Sequence, residues 1–123
     1  MARILVADDA VEQVTIQRRL LEALGYEVDT ALSPSETLRE LERRGPDLIV
    51  VDLGFPCAAD GLALIRGIRQ TGCLLPMIVL SGWPDDIYGT PEEKMVSRVL
   101  VKGSVRELLQ TIAELCPPPG RDR

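Results

Sequence analysis

Five short β-rich runs divide this chain, and four of them, ILVA, LIVVD, MIVLS and VLVK, are continuously apolar rather than alternating. A strand with one wet face shows a polar side chain at every second position. An unbroken apolar run has to be covered on both faces, which is the condition of a strand inside a parallel sheet. The strand candidates are Arg3 to Asp8, Tyr26 to Ala31, Asp47 to Asp52, Met77 to Ser81 and Arg98 to Lys102. Parallel neighbours cannot be joined by a tight hairpin, so helices are expected between them.

The intervening segments carry helical spacing. Val14, Leu20, Leu21 and Leu24 form one stripe, with Gly25 as its stop. Ser33-Pro34-Ser35-Glu36 reads as a capping box with proline in the first turn, opening a helix that carries Leu38 and Leu41 and ends at Gly45-Pro46. Leu62, Ile65 and Ile68 mark a third helix. Ser104-Val105-Arg106-Glu107 is a second capping box, followed by the stripe Val105, Leu108, Leu109, Ile112 and Leu115, a surface also suited to a partner. Between the fourth and fifth strands, Trp83, Pro84, Gly89 and Pro91 interrupt any long helix. That segment is expected to be a long loop with one or two helical turns starting near Thr90-Pro91-Glu92-Glu93.

Strand-then-helix units in this order predict an α/β fold: a doubly wound, five-stranded parallel sheet between two helical layers. Right-handed crossovers favour the strand order 2-1-3-4-5, with ligands beyond the carboxyl ends of the strands. The 123 residues suit one domain over 1–116, with Pro117-Pro118-Pro119-Gly120 opening a tail or linker stump over 117–123.

Composition removes several functions. A net charge of −5 argues against a nucleic-acid surface. No apolar run reaches a membrane span, and no secretory leader precedes Ile4. Cys57, Cys73 and Cys116 lack metal or disulfide spacing, which fits a reducing cytoplasm. Histidine is absent, so any chemistry falls to carboxylates, hydroxyls or lysine.

The strand ends supply those groups. Asp8-Asp9 closes the first strand, Asp52 the third, Ser81 the fourth and Lys102 the fifth. With the first and third strands adjacent, three carboxylates share one pocket. At an effective dielectric near 20, each close pair repels by several kcal/mol, so protons or a cation must neutralise them. Carboxylate oxygens with room for water suit Mg²⁺. A carboxylate beside such an ion can act as a nucleophile toward phosphorus, and Lys102, Ser81 and backbone amides near Gly54 and Gly82 can meet the phosphoryl oxygens.

ILVADDA, LIVVDLGFP, IVLSG and VLVKG, in this order and spacing, resemble the receiver domain of two-component response regulators over residues 3 to 115. The resemblance implies a flavodoxin-like, CheY-like sandwich that acts as a signalling phosphoacceptor in a phosphorelay, not as an enzyme on a separate substrate. By it Asp52 is the phosphoacceptor, and Mg²⁺ or Mn²⁺ is held by Asp8, Asp9, Asp52 and the Gly54 carbonyl. Ser81 is the switch hydroxyl, Lys102 pairs with the phosphoryl group, and Gly54 and Gly82 offer backbone amides. The donor is a sensor histidine kinase or phosphotransfer protein, and the output passes to a protein target or an output domain further along a longer chain. A monomer or weak homodimer is expected, without nucleic-acid or membrane contact.

Departures from the family pattern are also legible. After Phe55-Pro56 the loop Cys57-Ala58-Ala59-Asp60-Gly61 has one residue more than usual; Lys102 is followed by Gly103 instead of proline; Val99 stands where an aromatic switch residue is usual; and the Gly-Ala before the last strand is missing. These favour a second reading, a receiver-like scaffold that binds proteins without phosphorylation. Trp83 is placed to overhang the phosphoryl site. Asp9-Ala10-Val11-Glu12 also reads as a helix cap, and Asp85-Asp86 and Glu92-Glu93 as solvated surface. Cys57 reads as a loop residue close enough to Asp52 to sense redox state.

Overall fold

The computed structural model describes residues 2–54 and 57–118. Strands β1 (Arg3–Ala7), β2 (Glu27–Ala31), β3 (Leu48–Asp52), β4 (Met77–Ser81) and β5 (Arg98–Val101) form one parallel sheet in the order β2-β1-β3-β4-β5. Helices α1 (Val11–Ala23), α2 (Pro34–Arg44), α3 (Ala58–Gln70) and α4 (Val105–Leu115) connect and cover it. All five residues of β3 and of β4 are buried, which is why those runs do not alternate.

The sheet separates two apolar layers. Ile4, Val6, Val50 and Ile78 meet Val14 and Leu21 of α1 and Leu108 and Ile112 of α4. On the other face Leu5, Ile49, Val51 and Val79 meet Leu64, Ile65 and Ile68 of α3, with Leu38 and Leu41 of α2 packed alongside. Successive strand residues point to opposite faces, so one continuous run serves both layers.

Both capping boxes close their helices. The Glu36 amide donates to Ser33 Oγ at 3.1 Å and the Glu107 amide to Ser104 Oγ at 3.2 Å. The Glu36 carboxylate reaches back to the Leu32 amide, one residue before the cap. Gly25 and Gly45 follow their helices at φ 99° and 64°, where a side chain would be strained. A Cβ at Gly61 would collide with the Leu53 carbonyl, so α3 can approach the strand end only through glycine.

Several expectations need correction. The inner face of α1 is Val14, Gln17 and Leu21; Leu20 and Leu24 are exposed. Positions three and seven residues after Val14 share its direction, whereas Leu20 lies about 100° away from Leu21. Val105 is likewise 38% exposed at the start of its stripe. No side chain caps α1, whose N-cap is Ala10, so Asp9 is free of that role. The loop before β5 holds the short helix expected from Thr90, as a 3₁₀ turn over Pro91–Met95, and an additional 3₁₀ turn over Pro84–Asp86 that was not expected. Glu92 is not solvated surface: it is 4% exposed and meets Arg66 at 2.5 Å. The reading of Phe55-Pro56 and of residues 119–123 lies outside the described residues. Among the described residues, no helix is long and apolar enough to cross a membrane.

Candidate functional site

The carboxyl edge of the sheet gathers the groups that the strand ends announce. One oxygen from each of Asp8, Asp9 and Asp52 lies within 4.8 Å of the others. Asp52 ends β3, and Asp8 and Asp9 follow β1 directly, so the β1–β3 pairing delivers all three to one point. Asp8 and Asp52 are buried, while Asp9 is exposed.

Backbone amides orient the two buried acids. Asp8 Oδ1 accepts from the Ala10 amide at 2.9 Å, and Asp52 Oδ1 accepts from the Gly54 amide at 3.1 Å. Lys102 Nζ donates to Asp52 Oδ2 at 2.7 Å. Asp8 Oδ2 is buried with no hydrogen-bond partner. A buried carboxylate oxygen without a partner is costly, and this one faces a neighbouring anion. Burial, followed by repulsion from Asp52, pushes the Asp8 carboxyl up to about 6 against the pull of the Ala10 amide. Burial works against the Lys102 ammonium, but the hydrogen bond and attraction of Asp52, with Asp8 and Asp9 behind it, hold its pKa above the usual lysine value.

This donor set fits a hard divalent cation. It offers carboxylate oxygens, one of them orphaned, and one side of the cluster is open at Asp9. Beside the acids lies a cleft of about 300 Å³ between Asp52, Gly54, Ser81, Gly82, Trp83 and Lys102. Ser81 Oγ accepts from the Trp83 amide at 3.0 Å, and the Lys102 amide donates to the Ser81 carbonyl at 2.9 Å. Trp83 is 67% exposed at the cleft.

Every residue singled out at the strand ends therefore reaches this edge, and Gly54 and Gly82 line the cleft as expected. Ala58 and Asp86 line it too; neither has a signature in the sequence, because each depends on how a loop folds back. Arg66 holds Glu92, while Arg69 donates to the carbonyls of Cys73, Leu75 and Met95.

Known proteins are similar to this chain in sequence and fold. The chain is 38% identical over 79 residues to the alkaline phosphatase synthesis transcriptional regulatory protein PhoP of Bacillus subtilis, covering 64% of this chain and 32% of that protein. It is 37% identical over 90 residues to the virulence transcriptional regulatory protein PhoP of Salmonella typhimurium, covering 71% of this chain and 40% of that one. It thus spans roughly a third to two-fifths of the length of these curated relatives. Among solved structures, the response regulator TrrA of Thermotoga maritima, in complex with Mg²⁺ and BeF, superposes with a TM-score of 0.83 at 27% identity, covering 94% of this chain and 99% of that one. The chemotaxis protein CheY4 of Vibrio cholerae gives 0.78 at 25% identity, covering 94% and 98%. The family model for the response regulator receiver domain matches residues 4–113, and the chain belongs to that family.

Proposed function

We propose that Asp52 accepts a phosphoryl group from a phosphohistidine on a sensor histidine kinase or phosphotransfer protein, and that its occupancy switches contacts with a protein target. A carboxylate oxygen of Asp52 attacks phosphorus as the donor's N–P bond breaks; the imidazole leaves and takes a proton from solvent. The Lys102 ammonium, already 2.7 Å from Asp52, stays protonated and neutralises charge on the transferred oxygens. Ser81 gives up its turn with the Trp83 amide and donates its hydroxyl instead. The amides of Gly54 and Gly82 line the path of the incoming group.

Asp8, Asp9, Asp52 and the Gly54 carbonyl would hold Mg²⁺ or Mn²⁺, which when bound supplies the positive charge that the three carboxylates lack. The observation that carries the reading is Asp8 Oδ2, buried and unpartnered within an acidic cluster. Such an oxygen suits an ion better than a structural role. On this reading the protein is a switch that transfers a phosphoryl group only to itself. Moving a 1:99 population to 99:1 takes about 5.5 kcal/mol of differential stabilisation, which contacts of Ser81 and Lys102 to a dianion can approach.

Intact-mass measurement after treatment with acetyl phosphate and Mg²⁺ tests this. The expected result is one added phosphoryl group on the parent chain and none on Asp52→Asn. An unmodified parent would leave the phosphorylation-independent scaffold as the better reading.

A further inference from the structure

The segment after Ser81 folds so that a second carboxylate, that of Asp86, belongs to the border of the phosphoryl cleft. The Asp86 amide donates to the Trp83 carbonyl at 3.0 Å, and the Ile87 and Tyr88 amides donate to the Pro84 carbonyl at 3.0 and 3.1 Å. Ile87 is fully buried in the layer of Leu53, Leu64 and Val79. Its carbonyl accepts from both the amide and the hydroxyl of Thr90. The turn Pro84–Asp86 is thereby pinned from the inside, which leaves Asp86 exposed where the cleft opens beside Trp83.

A cleft that receives a phosphoryl group has reason to exclude such a charge. Lys102 is the one cation lining it among the described residues, and its ammonium already meets Asp52 at 2.7 Å. Asp86 forms no ion pair with any described residue and is not one of the three gathered acids Asp8, Asp9 and Asp52. A fixed negative charge at the mouth acts on every group that passes it. It attracts cations and repels anions, weakly because water and salt screen it.

We propose that Asp86 sets the preferred class of phosphodonor, favouring donors that release a protonated nitrogen over acyl phosphates, which release a carboxylate. The inference rests on Asp52 as the phosphoacceptor and adds a residue that discriminates between donors. In either reaction an Asp52 oxygen forms the new bond to phosphorus. With phosphoramidate, protonated on nitrogen near neutral pH, the N–P bond breaks, its electron pair passes to nitrogen, and ammonia leaves. With acetyl phosphate the acyl O–P bond breaks, and acetate leaves with the pair and a negative charge. In-line displacement sends the leaving group away from Asp52 and toward the open side of the cleft. There Asp86 meets a nitrogen that begins positive in the first reaction and an oxygen that becomes negative in the second. A phosphohistidine belongs to the first class.

The test compares initial rates of phosphorylation of the full chain by phosphoramidate and by acetyl phosphate, read by intact mass at equal Mg²⁺, pH and ionic strength. The phosphoramidate-to-acetyl-phosphate rate ratio should fall roughly three- to tenfold in Asp86→Asn at low salt, since attraction lost and repulsion lost act on the ratio in the same direction. Asp86→Lys should lower it further, and added salt should shrink both differences. Asp85 is exposed beside Asp86 without lining the cleft, so Asp85→Asn should leave the ratio in place. A folding defect slows both donors alike and does not move the ratio. The inference is overturned if the ratio is unchanged in both Asp86 variants, or if Asp85→Asn shifts it as much. A parent chain that neither donor phosphorylates would instead overturn the Asp52 reading, and this inference with it.

Discussion

The carboxyl edge has two halves, and they are held by different forces. On the β1–β3 side, Asp8 and Asp52 sit on strands whose neighbours Ile4, Leu5, Val50 and Val51 are at most 1% exposed, and each acid is oriented by a nearby backbone amide. On the β4–β5 side, residues 82–97 depend more on polar fasteners: Arg66 on Glu92, Arg69 on the Met95 carbonyl, and the Gly89 amide on Glu93. Ile87 is the one residue of the first 3₁₀ turn and its cap that is fully buried. Close-packed apolar groups fix charges in place because any shift opens a void. Polar fasteners at a surface can exchange partners with water at lower cost. The contrast teaches that the half holding the anions is fixed by apolar packing, whereas the segment after Ser81 is fixed largely by polar contacts.

The strongest way to break the contrast is to remove core volume on each side. Ile49→Ala should cost about 2–5 kcal/mol of unfolding free energy in urea, against roughly 1–2 kcal/mol for half-buried Leu100→Ala; equal losses would refute the difference. Gly61→Ala tests the apolar-packed half from another direction. Its Cβ must displace the Leu53 backbone, so a loss of about 1–3 kcal/mol is expected, together with weaker Mg²⁺ binding because Leu53 follows Asp52.

Acid titration separates the halves next. The Asp8 carboxyl is raised in the folded chain from 3.8 to about 6, so between those values the folded state holds the extra proton. Stability of the metal-free chain should then fall as pH rises through this window, by on the order of 2 kcal/mol, and Asp8→Asn should flatten the profile. In contrast, the hydrogen bond from Arg66 lowers the Glu92 carboxyl, so its contribution is present above the ordinary glutamate range and is lost as pH falls below it. Glu92→Gln should lower the thermal midpoint near neutral pH and leave Mg²⁺ affinity unchanged. The smallest effect is expected from Trp83→Ala. If the indole sheds water from the cleft, decay of the Asp52 phosphoryl group should accelerate several-fold with no change in stability; an unchanged lifetime would discard that role.

Periodicity and end-residue chemistry carried much of this molecule. Continuous apolar runs state that both faces of β1, β3 and β4 are covered, but the same reading fails for VLVK, because β5 is an edge strand with Arg98 and Val101 exposed; Ser33 and Ser104 state where two helices begin. Carboxylates at the ends of the first and third strands state that an acidic site exists wherever those strands pair. These are local signals, because each depends on residues a few positions apart. Glu92 could not be read in the same way. Its environment comes from Arg66 on another element, and a Glu-Glu pair beside proline looks like any solvated turn. Gln17 and Leu20 exchanged places for a similar reason, since hydropathy ranks leucine inward whatever face the helix presents.

The amino-acid order by itself therefore determined the parallel sheet, its crossovers and the list of groups arriving at the carboxyl edge, since strand burial and helix caps are short-range consequences of side-chain type. Only the tertiary structure decided that Asp8 Oδ2 has no partner, that Arg66 and Arg69 fasten the segment before β5, and that Asp86 borders the cleft. Those are properties of distances between residues far apart in the chain. Such distances follow from how whole layers pack, which no local pattern encodes.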